Sequence, residues 1–129
     1  MTTVEKVLLL KITPPLDRLR DSELGLIASV SQVREYGPHE VIVDAGEPVP
    51  RFFVLARGSW TFGGCAHPPT FGAYALLHAH TPAAALEAGL GGATCLTVAA
   101  SHFHTIVYEC PELLLGYLQP AEDKREDAP

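Results

Sequence analysis

Gly37-Pro38-His39-Glu40-Val41-Ile42-Val43-Asp44-Ala45-Gly46-Glu47, followed by Phe52-Phe53-Val54-Leu55-Ala56-Arg57-Gly58-Ser59-Trp60-Thr61-Phe62, decides the fold. Gly37-Pro38 is a turn signal. Val41-Ile42-Val43 is β-branched throughout and ends at the turn residues Asp44 to Glu47. Phe52 to Leu55 reads as the next strand, and Arg57-Gly58 as a turn into Ser59 to Phe62, with Trp60 and Phe62 on one face. Short strands separated by such turns point to an all-β sandwich or roll.

Outside this stretch the period is helical. Val4 to Lys11 predicts a short helix that Thr13-Pro14-Pro15 ends. A second helix is predicted from about Asp21, capped by Asp21 or Ser22, to Val30. Beyond Phe62, Gly63-Gly64 and Pro68-Pro69 make a loop, and Ala73 to Leu77 a short segment. Ala83 to Leu86 and Thr94 to Ala99 read as strands. A helix capped by Ser101 then carries Phe103, Ile106, Val107 and Cys110. Pro111 interrupts it, and Leu113, Leu114, Tyr117 and Leu118 give a last helix its apolar face until Pro120. The expectation is one domain over residues 1–120 and a charged, frayed tail over 121–129. The fold class is mainly β: a jelly-roll-like β-roll with flanking N- and C-terminal helices.

Composition narrows the function. The chain has 129 residues, 47% of them apolar, and a net charge of −6. That size and apolar share suit one globular core. The acidic balance argues against nucleic acid as a partner, since binding to it needs a basic surface. Charge is uneven: residues 58–121 contain no Lys or Arg, and only Glu87, Glu109 and Glu112 among acids. Cys65, Cys95 and Cys110 form no framework, so reduced, buried thiols in a cytoplasmic protein are expected. Ala88 to Tyr108 is uncharged, but its glycines, Thr, Ser101, His102 and His104 make it too polar for a bilayer span.

The order of elements resembles a cyclic nucleotide-binding domain. Glu5 to Lys11 and the helix near Asp21 match that family's N-terminal helices, and Gly37 to Ile42 its first hairpin. Phe53-Val54-Leu55 with Gly58 matches a later strand and turn. Phe71-Gly72-Ala73-Tyr74-Ala75-Leu76-Leu77 aligns with the start of the phosphate-binding cassette, and Pro82-Ala83-Ala84-Ala85 with its end. Ser101-His102-Phe103 and Cys110 to Leu114 resemble the helix after the roll. The resemblance implies a Glu after Phe-Gly that accepts a hydrogen bond from the ribose 2′-hydroxyl. It also implies an Arg after Pro that forks onto the cyclic phosphate. Here those positions are Ala73 and Ala83, and the Ser or Thr that closes the motif is replaced near Ala85-Leu86. The candidate ligand-binding positions are therefore the degenerate cassette residues Phe71, Gly72, Ala73, Tyr74, Pro82, Ala83 and Ala84.

The implied function is a non-catalytic regulatory or scaffolding domain with no cofactor, acting through protein contacts or an uncharged ligand. Its partner would be another protein, a parent-protein domain or a second copy, with neither nucleic acid nor membrane involved. The first alternative is a weak cyclic nucleotide sensor that uses backbone amides alone. The second is a cupin-like metal protein: His78-Ala79-His80 has strand spacing, Gly72 lies six residues before His78, and Glu87 seven after His80. Catalysis has little support, because Ser59 and Ser101 lack a nucleophile-elbow context and no cation neighbours Cys110 in the sequence. Trp60, Phe62, Phe71 and Tyr74 are expected to fill the core; exposed, they would form a docking patch.

Overall fold

A computed structural model describes residues 1–14 and 16–110. The predicted break at Pro111, the predicted helix through Leu118 and the charged tail over 121–129 lie outside the described residues. Helix α1, Thr3–Lys11, starts with a reciprocal cap. The Thr2 hydroxyl accepts from the Glu5 N–H at 3.1 Å, and the Glu5 carboxylate accepts from the Thr2 N–H at 2.8 Å. Hydrogen bonding to the Thr2 backbone N–H, then to its side chain, holds the Glu5 carboxyl below its ordinary range. Helix α2 spans Asp21–Val30. Its cap is Arg20 rather than Asp21 or Ser22, because the Glu23 carboxylate reaches back to the Arg20 N–H at 2.9 Å. Lys11 and Asp21 tie the two helices at 3.1 Å.

Six antiparallel strands follow: β1 Gln32–Tyr36, β2 Val41–Val43, β3 Arg51–Phe62, β4 Cys65–Ala66, β5 Thr70–Phe71 and β6 Leu86–Ala99. The sheet runs β1-β6-β3-β4, with β2 also on β6 and β5 also on β3. Helix α3, Ala73–His78, sits between β5 and β6, and α4, Ala100–Glu109, closes the described chain. This is the expected β-roll with flanking helices.

Three local readings change. Arg57-Gly58 is not a turn; β3 runs through it, with irregularities in register between Leu55 and Arg57 and between Gly58 and Trp60. Gly58 has φ +81°, and a Cβ there would strike the Gly92 carbonyl, so its glycine serves a bulge between two long strands. Ala83 to Ala85 is not part of a strand, and β6 begins only at Leu86. The residues at its two ends bond to two loops instead: Pro82 O accepts from the Gly46 N–H at 2.8 Å, and Ala85 O from the Gly63 N–H at 3.1 Å. Ser101 does not cap α4; Ala99 does, without a side-chain bond, and the Ala100 N–H donates to Pro50 O at 3.2 Å.

The period of 2 along β3 and β6 sorts the core onto two faces. Phe52, Val54, Leu96 and Val98 pack under the helices with Leu10, Leu24, Ile27, Phe103 and Ile106. Phe53, Trp60, Phe62, Ala88 and Cys95 face into the roll with Phe71 and Leu86.

Cys95 and Cys110 are buried as expected, but Cys65 is exposed, because Gly63-Gly64 carries it out on a tight hairpin. Burial pushes the Cys95 thiol up to about 12, so it holds almost no thiolate at neutral pH. A thiol-reactive dye is expected to label Cys65 at once and Cys95 only after unfolding, as read by mass spectrometry of the digested protein. Fast native labelling of Cys95 would contradict this placement.

Candidate functional site

The segment from Phe71 to Ala84 hangs between the two faces of the core. It begins where β5 pairs with β3, Phe71 opposite Phe53 and Thr70 opposite Val54. Phe71 is fully buried, its ring centroid 5.3 Å from Phe62 and 6.5 Å from Phe53. Gly72 follows with φ +105°, a conformation that disfavours any side chain. A Cβ there would lie 2.7 Å from the Arg51 carbonyl and 3.2 Å from Val49 Cγ1. The chain thus presses backbone to backbone on the start of β3, and only glycine suits the position.

Helix α3 starts at once, with the Leu76 N–H donating to Gly72 O at 2.9 Å. It is a wedge: Ala73, with 0% of its surface exposed, packs into the helix-side core, while Ala75 packs into the roll. Ala79 then adopts φ +50°, turning the chain so that the His80 N–H donates to Ala75 O at 2.9 Å. Tyr74 is half-buried, with His78 4.5 Å and His80 5.6 Å from its ring centroid. The two histidines therefore do not lie at strand spacing, as the cupin reading required; His78 ends a helix and His80 follows a left-handed turn. Among the described residues no three or more His, Cys, Asp or Glu side chains gather where a metal ion could be held.

Pro82 is buried, Ala83 exposed and Ala84 half-buried against the roll. Phe71, Ala75 and Ala84 thus pack into the roll-side core, while Ala73 packs into the helix-side core. Residues 58–121 contain no Lys or Arg, so this segment has no cationic side chain of its own to meet an anion. The guanidinium of Arg51, whose carbonyl backs Gly72, is directed to the Gln32 side chain at 3.5 Å.

Trp60, Phe62 and Phe71 fill the core as expected, while Tyr74 stays partly open. Sequence reasoning missed His67, which sits in the loop between β4 and β5 against all three of those rings. A histidine in a Pro-Pro loop carries no periodic signal that would mark it. Burial pushes its pKa below the ordinary histidine value, and the Thr70 carbonyl, 3.1 Å from Nε2, pulls weakly the other way.

No family model and no curated protein matches the sequence. Solved structures do match. A regulatory domain of Toxoplasma gondii PKA, in complex with cAMP, is 21% identical, with a TM-score of 0.74. It covers 88% of this chain and 48% of that one. A regulatory subunit of a cAMP-independent protein kinase A from Trypanosoma brucei, a mutant with cAMP bound in its A site, reaches a TM-score of 0.79 at 17% identity, covering 95% of this chain and 49% of that one. The corresponding subunit from Trypanosoma cruzi, bound to guanosine, gives 0.76 at 18%, covering 96% and 50%. This chain has the cyclic nucleotide-binding-domain fold. It spans about half the length of each of these three relatives. No helix among the described residues is long and apolar enough to cross a membrane.

Proposed function

We propose that this chain is a non-catalytic regulatory domain of the cyclic nucleotide-binding fold whose cassette no longer holds a cyclic phosphate. The observation that carries this reading is the pair of alanines at the two anchoring positions. Ala73, in place of the carboxylate, is sealed in the core, and Ala83, in place of the arginine, offers a methyl group to solvent. Neither can accept from a ribose hydroxyl or neutralise a phosphate. What remains is backbone and apolar surface, which suits a neutral ligand or none. The guanosine-bound Trypanosoma cruzi subunit supports the neutral option, since a nucleoside carries no phosphate.

The output is proposed to pass through protein contact, with a neighbouring domain of a longer protein or a separate chain. The three relatives are regulatory domains or subunits of protein kinases, which supports this reading. Trp60, Phe62 and Phe71, which would have formed a docking patch if exposed, are buried. An exposed apolar row lies instead on α1 and its C-cap, where Val4, Leu8 and Ile12 are 67%, 57% and 78% exposed at successive turns. The proposed location is the cytoplasm, consistent with three cysteines that form no disulfide.

Calorimetric titration with adenosine, guanosine and their cyclic monophosphates tests the proposal. The cyclic phosphate is expected to add nothing, leaving each cyclic nucleotide no tighter than its nucleoside. A cyclic nucleotide that binds more than about tenfold tighter than its nucleoside, about 1.4 kcal/mol, would show a working phosphate site.

A further inference from the structure

We propose that His67 is a proton-operated latch in the β4–β5 loop, closed over the aromatic end of the roll when neutral and released when protonated. The inference is independent of which ligand, if any, the cassette takes. Its basis is a cluster of rings. The imidazole centroid lies 5.3 Å from Phe71, 5.6 Å from Phe62 and 6.2 Å from Trp60. Its Nε2 is 3.1 Å from the Thr70 carbonyl oxygen. A carbonyl can only accept, so Nε2 carries the hydrogen and the neutral ring leaves Nδ1 bare.

The loop on either side is tied to the sheet. The Trp60 indole N–H donates to Pro68 O at 3.0 Å and to His67 O at 3.3 Å, and the Leu55 N–H donates to Pro69 O at 2.8 Å. Phe71, which the imidazole touches, is followed directly by Gly72, where the chain presses on the β3 backbone. Displacing the imidazole therefore acts on Phe71, the first residue of the candidate cassette, as well as on the loop.

The groups that meet His67 are Trp60 and Phe62 from β3, and Phe71 with the Thr70 carbonyl from β5. None of these titrates near neutrality. In the adjoining strand β4, the Cys65 thiol two residues away is exposed. Burial is the larger influence on His67 and favours the neutral ring; the Thr70 bond opposes it. The sign follows from linkage. A histidine whose folded pKa lies below its unfolded value near 6.5 closes the latch fully above about pH 6.5. As pH falls below that, the unfolded or opened form takes up the proton first, and the latch weakens down to the folded pKa.

Trp60 is the chain's only tryptophan, so its fluorescence reports on this cluster alone. The experiment is acrylamide quenching of Trp60 from about pH 8 to about pH 5, in the wild type and in His67→Gln. Glutamine keeps an N–H donor for Thr70 but cannot titrate. The wild type is expected to show quenching that rises as pH falls, with a midpoint below about 6.5, and His67→Gln a flat profile. Unchanged quenching in the wild type, or the same rise in His67→Gln, would overturn the proposal. Should His67→Gln fail to fold, proton NMR of the wild type decides. The Trp60 indole N–H is expected to shift with the His67 ring resonances at one midpoint. An indole N–H that stays still while His67 titrates would equally overturn it.

Discussion

Phe52→Ala is expected to remove about 3–5 kcal/mol of folding stability, a large part of the roughly 5–15 kcal/mol typical of a domain. Phe52 is 2% exposed and stacks on Phe103 at 5.0 Å between centroids. That contact fastens α4 to β3, the strand that also carries Phe53, Trp60 and Phe62 on its other face. Truncation leaves a cavity between sheet and helices that the β3–β6 ladder is too rigid to collapse into. Tyr108→Ala is the control. Tyr108 belongs to the same helix but is 91% exposed, and its loss should cost within about 0.5 kcal/mol. Denaturant unfolding of both variants reads the contrast. Equal midpoints for the two would mean that α4 does not dock through Phe52.

Restoring the two anchors should have opposite effects on the empty protein. Ala83 is exposed, so Ala83→Arg should change stability by no more than about 0.5 kcal/mol. A bidentate fork is worth roughly 3–6 kcal/mol, so this variant should tighten cyclic nucleotide by about two to four decades. Ala73→Glu behaves differently, because Ala73 has no exposed surface. A buried glutamate must either ionise without water or hold its proton. Neutralising a carboxyl of ordinary pKa near 4.3 at pH 7 costs about 3.7 kcal/mol. Its folded pKa is raised, so the penalty grows with pH and shrinks to about 1 kcal/mol near pH 5. Thermal melts at the two pH values measure this. A double variant whose melting temperature rises on adding cyclic AMP would show the carboxylate finding its ribose partner. If Ala83→Arg gains no affinity, the backbone of 79–84 does not present a phosphate site, and the protein-contact reading is left alone.

The fold was legible because its signals are local and redundant. Val41 to Val43, Phe52 to Leu55 and the glycine-bearing turns have strand composition whatever surrounds them. The misreadings fall where tertiary contacts decide. Gly58 looks like turn chemistry, yet its positive φ serves a bulge against Gly92, a residue 34 positions away in the chain. Ala83 to Ala85 has no side-chain pattern, and its place is set by hydrogen bonds at its two ends, Pro82 to Gly46 and Ala85 to Gly63. The candidate cassette was read from Phe71-Gly72 and Pro82, and the reason for Gly72 emerged only from the Arg51 carbonyl behind it. That Ala73 is sealed inside while Ala83 is open could not be read from two identical residues. His67 lay outside any motif, since nothing in a loop reports which rings will fold over it.

The central claim is that this fold has lost its grip on a cyclic phosphate, and calorimetric titration of the wild-type protein with cyclic AMP tests it most directly. Losing the arginine fork costs roughly 3–6 kcal/mol, and losing the carboxylate costs about another 1.5–3 kcal/mol. The backbone amides that remain return about 0.3–2 kcal/mol at most. The account therefore predicts no saturable heat at physiological, roughly micromolar nucleotide. A dissociation constant near about one micromolar would contradict it.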